Sequence, residues 1–150
     1  MKVLGVGEPV GKGFHGGAIV AQPEYTDSSV THDDFMTTIY GIANCDSVKK
    51  ARAWLEARQL PFHFHDFKKS GVPGAALDRW IRSVGWEVLV NRRGTTWRLL
   101  DESSRAGVTD ANSARKILLT HASLIKRPVV EWSTPSRITV GFDVVAWATY

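Results

Sequence analysis

The chain of 150 residues is 43% hydrophobic and carries a formal net charge of +4, enough apolar sequence for one domain with a real core and no covalent staples. Its single cysteine, Cys45, excludes an intrachain disulfide framework, and no run approaches the ~18 apolar residues of a membrane-spanning helix. The charge is uneven: residues 1–35 hold two lysines against five acids, whereas residues 36–150 hold seventeen Lys/Arg against ten Asp/Glu. A basic domain of this kind suits an anionic ligand, nucleic acid or an acidic partner, or is simply a solvated surface.

Six of the thirteen glycines, with Pro9 and Pro23, fall in residues 1–35 and interrupt any helical or strand period. This segment is expected to be a flexible extension before a domain over 36–150. Glycines break the apolar start that a signal peptide needs, and the absence of arginine argues against a transit peptide, so a cytoplasmic location is expected. Met36 opens an apolar run at once, as it would if the upstream start were misassigned. The G-x-G-x-x-G match at Gly11 to Gly16 follows Pro9 rather than a strand and reads as chance.

From Met36 the signals become regular. Thr37 to Ile42 is a β-branched and aromatic run that predicts a buried strand. Asp46 or Ser47 can cap a helix in which Val48, Ala51 and Leu55 recur at helical spacing up to about Arg58. Phe62 and Phe64 alternate with His63 and His65 in a second strand starting at Pro61. Leu77, Trp80, Ile81 and Val84 then mark an amphipathic helix ended by Gly85. Trp86 to Leu100 reads as short helical turns around Asn91-Arg92-Arg93-Gly94. Thr109 or Asp110 can cap another helix, with Ala114, Ile117, Leu118 and His121 on one face. Val129–Trp132 and Arg137–Phe142 predict a hairpin around Pro135, and Asp143 caps a last helix. The alternation of strands and helices implies an α/β domain with a mixed sheet.

Cys45 falls between the first strand and the first helix. Only a thiolate attacks, and an unperturbed thiol titrates near ~8.5. A helix N-terminus directs unpaired N–H groups and partial positive charge at that position. Lys49 and Arg52 add charge one and two turns along, while Asp46 opposes them. The alternative is a small buried apolar residue, the usual state of free cysteine. His63 and His65 share a strand face without a third ligand, so no metal is expected. Trp54 and Trp80 lie beside apolar helix positions and read as core, which disfavours nucleic-acid stacking.

The segment Tyr40-Gly41-Ile42-Ala43-Asn44-Cys45-Asp46-Ser47-Val48-Lys49-Lys50-Ala51-Arg52 resembles the active-site segment of the ArsC/Spx family, most of all its YffB-like branch. Phe64-His65-Asp66-Phe67, Asn91-Arg92-Arg93-Gly94-Thr95-Thr96-Trp97-Arg98 and Leu124-Ile125-Lys126-Arg127-Pro128-Val129 follow in the family's order. The resemblance covers 36–150. It implies a thioredoxin-like α/β fold with a mixed sheet and a helical insertion, and a redox-active cysteine that handles thiols. It also implies that Arg93 and Arg127 bind an anionic group, with Asn44 beside Cys45 and Pro128 as a cis-proline facing it. Arg92, Lys49, Arg52 and Arg137 are further candidates.

Departures from the family pattern narrow the function. Spx-type regulators carry a Cys-x-x-Cys switch, but here the second position is Val48. Cys45 therefore needs an external thiol: glutathione is the expected co-substrate, glutaredoxin a second candidate partner, and no bound cofactor is expected. The third oxyanion arginine of the family's arsenate reductases would fall near Val140-Gly141, where there is none, and a histidine preceding their cysteine is replaced by Gly41. The resemblance thus implies a single-cysteine, glutathione-dependent thiol reductase. The alternatives are an arsenate reductase coupled to glutathione and glutaredoxin, or a non-catalytic module that binds RNA polymerase as Spx-type proteins do.

Overall fold

The structure is a computed structural model that describes residues 36–134 and 136–149. The extension 1–35 and the glycine-rich match within it lie outside the described residues. β1 (Thr37–Gly41) pairs in parallel with β2 (Phe62–Asp66) and antiparallel with β3 (Val129–Trp132), which pairs antiparallel with β4 (Arg137–Val140). The sheet order is β2-β1-β3-β4. This mixed α/β sheet is the one the alternation of elements predicts. α1 (Asp46–Ala57) makes the parallel crossover, because parallel neighbours cannot be joined by a tight turn.

Strand alternation sorts the core into two layers. Ile39, Val130 and Trp132 face α1 and the short α8 (Val144–Trp147), where Ala51, Trp54, Leu55 and Trp147 are buried with them. Tyr40, Ile42 and Val129 face the helical insertion between β2 and β3. The insertion runs through α2 (Phe67–Ser70), α3 (Gly74–Val84), α4 (Trp86–Leu89), α5 (Thr95–Leu99), α6 (Glu102–Ala106) and α7 (Ala111–Thr120). α3 and α7 bury the apolar stripes read from their spacing, including Leu77, Trp80, Ala114 and Leu118. A capping box fixes the start of α7: the Ser113 amide donates to Asp110 Oδ1 at 2.7 Å, and the Asp110 amide donates to Ser113 Oγ at 3.0 Å. Trp54 and Trp80 are buried as expected.

Boundaries and small elements differ from the sequence expectation. Cys45, not Asp46 or Ser47, is the N-cap of α1, with extended φ −123° and ψ 126°. α2 and α6 are single turns without an apolar period long enough to be read from sequence. β4 ends at Val140, because Gly141 turns away with φ +86°. His121 is the exposed C-cap of α7.

Candidate active site

β1 delivers the chain to Gly41, and four residues later Cys45 is the N-cap residue of α1. The entry is tight. A Cβ on Gly41 would lie 2.6 Å from Cγ2 of Val48, which is fully buried. Partial burial pushes the Cys45 thiol up. The amide N–H of Val48, the Arg127 guanidinium and the amide N–H of Ser47 act the other way and hold it, on balance, below its ordinary value. A thiolate at this N-cap takes the place that a serine or aspartate oxygen takes in ordinary helices.

Arg127 is held from behind. Its Nη1 donates to the carbonyls of Ser123 at 2.9 Å, Ile125 at 3.2 Å and Ala122 at 3.4 Å, all in or next to the 3-10 turn Ala122–Leu124. Its buried Nε has no hydrogen-bond partner among the described residues. The Arg127–Pro128 peptide is cis, and Pro128 is buried. The Gly141 amide donates to the Pro128 carbonyl at 2.7 Å, which brings the end of β4 against the proline.

A cleft of about 480 Å³ opens beside the thiol. Cys45 and Ser47 form one wall, Asn91, Lys126 and Arg127 another, and Val140 to Asp143 the third. A bridge between Val90 and Ile125 holds the second wall, with the Asn91 amide on the Leu124 carbonyl at 2.8 Å and the Lys126 amide on Leu89 at 2.7 Å. Asp143 is fixed as the cap of α8, its Oδ1 accepting from the amides of Val145 at 2.9 Å and Ala146 at 3.2 Å. The cleft therefore presents a nucleophilic sulfur, two cations, one anion and an amide to one ligand. Among the described residues there is no group of three or more His, Cys, Asp or Glu placed to hold a metal.

Of the residues expected at the site, Cys45 and Arg127 meet in this cleft, with Pro128 adjoining it through the backbone. The others are elsewhere. Asn44 is exposed and accepts from Lys49 Nζ at 2.9 Å, which ties that lysine to the turn rather than to the sulfur. The Arg52 guanidinium lies 4.6 Å from the centre of the Phe64 ring. Arg92 lies 5.5 Å from the rings of both Trp86 and Trp97. The turn that directs Arg92 onto the indoles leaves Arg93 exposed and off the cleft wall, and Asn91 is the residue of that segment that reaches it. Arg137 opens β4 while the cleft lies past its other end, about 13 Å along a strand, and Arg137 borders a different cleft. Arg93 and Arg137 thus do not line the Cys45 cleft.

Sequence reasoning missed Ser47, Lys126 and Gly141 to Asp143 as cleft residues. Lys126 stands inside a segment that carried the family resemblance, and Asp143 was legible as a cap. Nothing local announced that both would face Cys45.

The ArsC family profile matches residues 40–149. An uncharacterised protein of Haemophilus influenzae is 42% identical over 108 residues, covering 72% of this chain and 92% of its own. The global transcriptional regulator Spx of Bacillus subtilis is 23% identical over 110 residues, 72% of this chain and 81% of its own. Among solved structures, a YFFB protein superimposes with a TM-score of 0.71 at 41% identity, covering 76% of this chain and 97% of that one. An arsenate reductase (ArsC) related protein from Brucella melitensis gives 0.60 at 46% identity, over 77% and 93%. With a match that runs from β1 to α8 and takes in the Cys45 turn, the Asn91 turn and the Arg127–Pro128 bond, the chain belongs to the ArsC family.

Proposed function

We propose that the protein is a single-cysteine thiol–disulfide reductase that uses glutathione as co-substrate. The observation that carries this reading is the setting of Cys45: a thiol held toward its thiolate by two amides and Arg127, open to a cleft, with a fully buried valine where a second cysteine would resolve it. The Cys45 thiolate attacks the glutathione sulfur of a mixed disulfide. A bond forms between Cys45 Sγ and that sulfur, the old S–S bond breaks, and the electron pair leaves on the substrate thiolate, which takes a proton from water. A glutathione thiolate then attacks the same sulfur, forming glutathione disulfide and returning Cys45 as thiolate. Two electrons pass from glutathione to the substrate, and no second protein thiol is required.

The charges of the cleft favour this substrate over arsenate. Arsenate is close to a dianion and needs several fixed donors, yet among the described residues Arg127 is the one arginine on the cleft wall, beside Lys126. Asp143 repels a dianion and suits the ammonium group of a peptide thiol. One missing charge-assisted donor costs ~1.5–3 kcal/mol. The name of the Brucella relative keeps arsenate as the comparison to make.

With glutathione and glutaredoxin supplied, turnover of a small glutathione mixed disulfide should exceed turnover of arsenate by tenfold or more, on the order expected from that one missing donor. Cys45→Ser should abolish both. Faster arsenate turnover would overturn the substrate assignment. Full turnover by the serine variant would overturn the mechanism. A stoichiometric RNA polymerase complex without turnover would replace it with the non-catalytic binding module that the Spx resemblance implies.

A further inference from the structure

A second cleft, of about 680 Å³, opens on the sheet face under α3 and shares no residue with the Cys45 cleft. Its size is within the ~300–1,000 Å³ range of small-molecule sites. Strand alternation places Thr38, His63, His65 and Glu131 on this face, where an apolar core would otherwise continue, and α3 overhangs them with Arg79 and Ser83.

Glu131 organises the cleft. Its Oε1 accepts from Arg79 Nε at 3.1 Å and Trp80 Nε1 at 2.9 Å, and its Oε2 from Tyr40 Oη at 2.9 Å and Arg79 Nη2 at 3.1 Å. With four donors in place this carboxylate has no acceptor position left for a ligand. It clamps one edge of the Arg79 guanidinium, whose side chain stays half exposed. His65 is oriented by its Nε2–H on the Gly71 carbonyl at 2.8 Å and by the Tyr40 ring at 5.4 Å. His63 is exposed beside it. The hydroxyls of Ser83 and Ser136 complete the rim, and Arg137 adds positive charge.

We infer that this cleft is a second binding site, for the phosphate group of a small phosphorylated organic molecule. A carboxylate ligand is planar and would be satisfied by the open edge of Arg79 alone. A phosphomonoester presents three oxygens around a tetrahedron, which suits a pre-oriented guanidinium on α3, the His63 imidazole on β2 and the hydroxyls of Ser83 on α3 and Ser136 in the turn before β4. The half-buried side chain of Ile138 leaves an apolar surface for the organic part. The site is independent of the Cys45 chemistry and stands whether or not the reductase reading does.

The test is an amide NMR titration of the full chain with inorganic phosphate and with adenosine monophosphate. Adenosine and chloride at matched ionic strength are the controls. Saturable shifts at Thr38, His63, Glu131 and Ser136 with both phosphates, unchanged in Cys45→Ser, are expected. Ser83→Asp, at an exposed helix position, should weaken binding about tenfold by repulsion, and Ser83→Lys should strengthen it. Shifts that chloride or adenosine reproduces, shifts spread without saturation over exposed lysines and arginines, or Ser83 variants without effect would each overturn the site.

Discussion

Cys45 is the N-cap residue of α1, so the sulfur proposed to attack lies at the helix end where unpaired amides converge. The amides of Ser47 and Val48 stabilise the thiolate for the same reason that they favour any anionic cap, and Arg127 adds a charge held in place by three carbonyls. Alkylation of Cys45 by iodoacetamide should therefore show a pH midpoint below the ~8.5 of a free thiol. Arg127→Gln should move the midpoint up. A midpoint at or above that of free glutathione would remove the activation. Linkage gives a second reading of the same shift. A thiol depressed in the folded state contributes stability that is fully present above the unfolded value and is lost as pH falls through the folded one. The stability difference between the reduced protein and Cys45→Ser should thus grow from pH 5 to pH 9 in urea titrations. Gly41 is the other decisive residue. Gly41→Ala drives a methyl against the buried Val48 side chain, and overpacking of this kind costs ~1–3 kcal/mol. Adding Val48→Ala should return part of that loss, and a double-mutant cycle reads the coupling directly.

At the scale of elements, α8 holds the cleft through its far end. It is one turn long, so its own hydrogen bonds cannot sustain it. Trp147 anchors it instead, 1% exposed and packed edge-on against Trp54, Trp132 and Phe142, with ring centres 4.9–5.5 Å apart. The same turn begins at Asp143, on the cleft wall. Removing an aromatic side chain from such a cluster costs ~3–5 kcal/mol. Trp147→Ala should accordingly lower the melting temperature strongly. Below its transition it should also raise KM for the mixed disulfide more than it lowers kcat, since Cys45 and Arg127 sit on α1 and beside the 3-10 turn. An unchanged KM would mean that the Asp143 wall takes no part in binding.

The described residues set both of these clefts on one small sheet, one past the C-terminal end of β1 and one on the face under α3. Both cores are drawn from residues between Ile39 and Trp147, and the family match starts at residue 40. The sequence of residues 1–35 shows no periodic apolar pattern like those of the core elements. Deleting them should leave the melting temperature and the rate of Cys45 alkylation unchanged within error. A fall of many degrees would show that the extension packs on the domain.

The sequence by itself determined the strands, the long helices and the place of Cys45 between β1 and α1, because apolar periodicity, caps and glycine breaks are local properties. β1, α1, α3, α7 and the β3–β4 hairpin were legible in this way, and the ordered motifs tied Cys45 to Arg127 and Pro128 before any geometry. The tertiary structure alone decided which charges meet the sulfur. Arg93 and Arg127 look equivalent as basic residues in loops, but a turn that seats Arg92 on two indoles directs Arg93 to solvent, while carbonyls of the 3-10 turn aim Arg127 inward. Asp143 reads as a helix cap in sequence and becomes a cleft wall only when the Gly141 amide binds the Pro128 carbonyl. Glu131 reads as one polar residue in a strand until four donors from β1 and α3 converge on it. Each of these outcomes depends on contacts between residues distant in the chain, which no local pattern encodes.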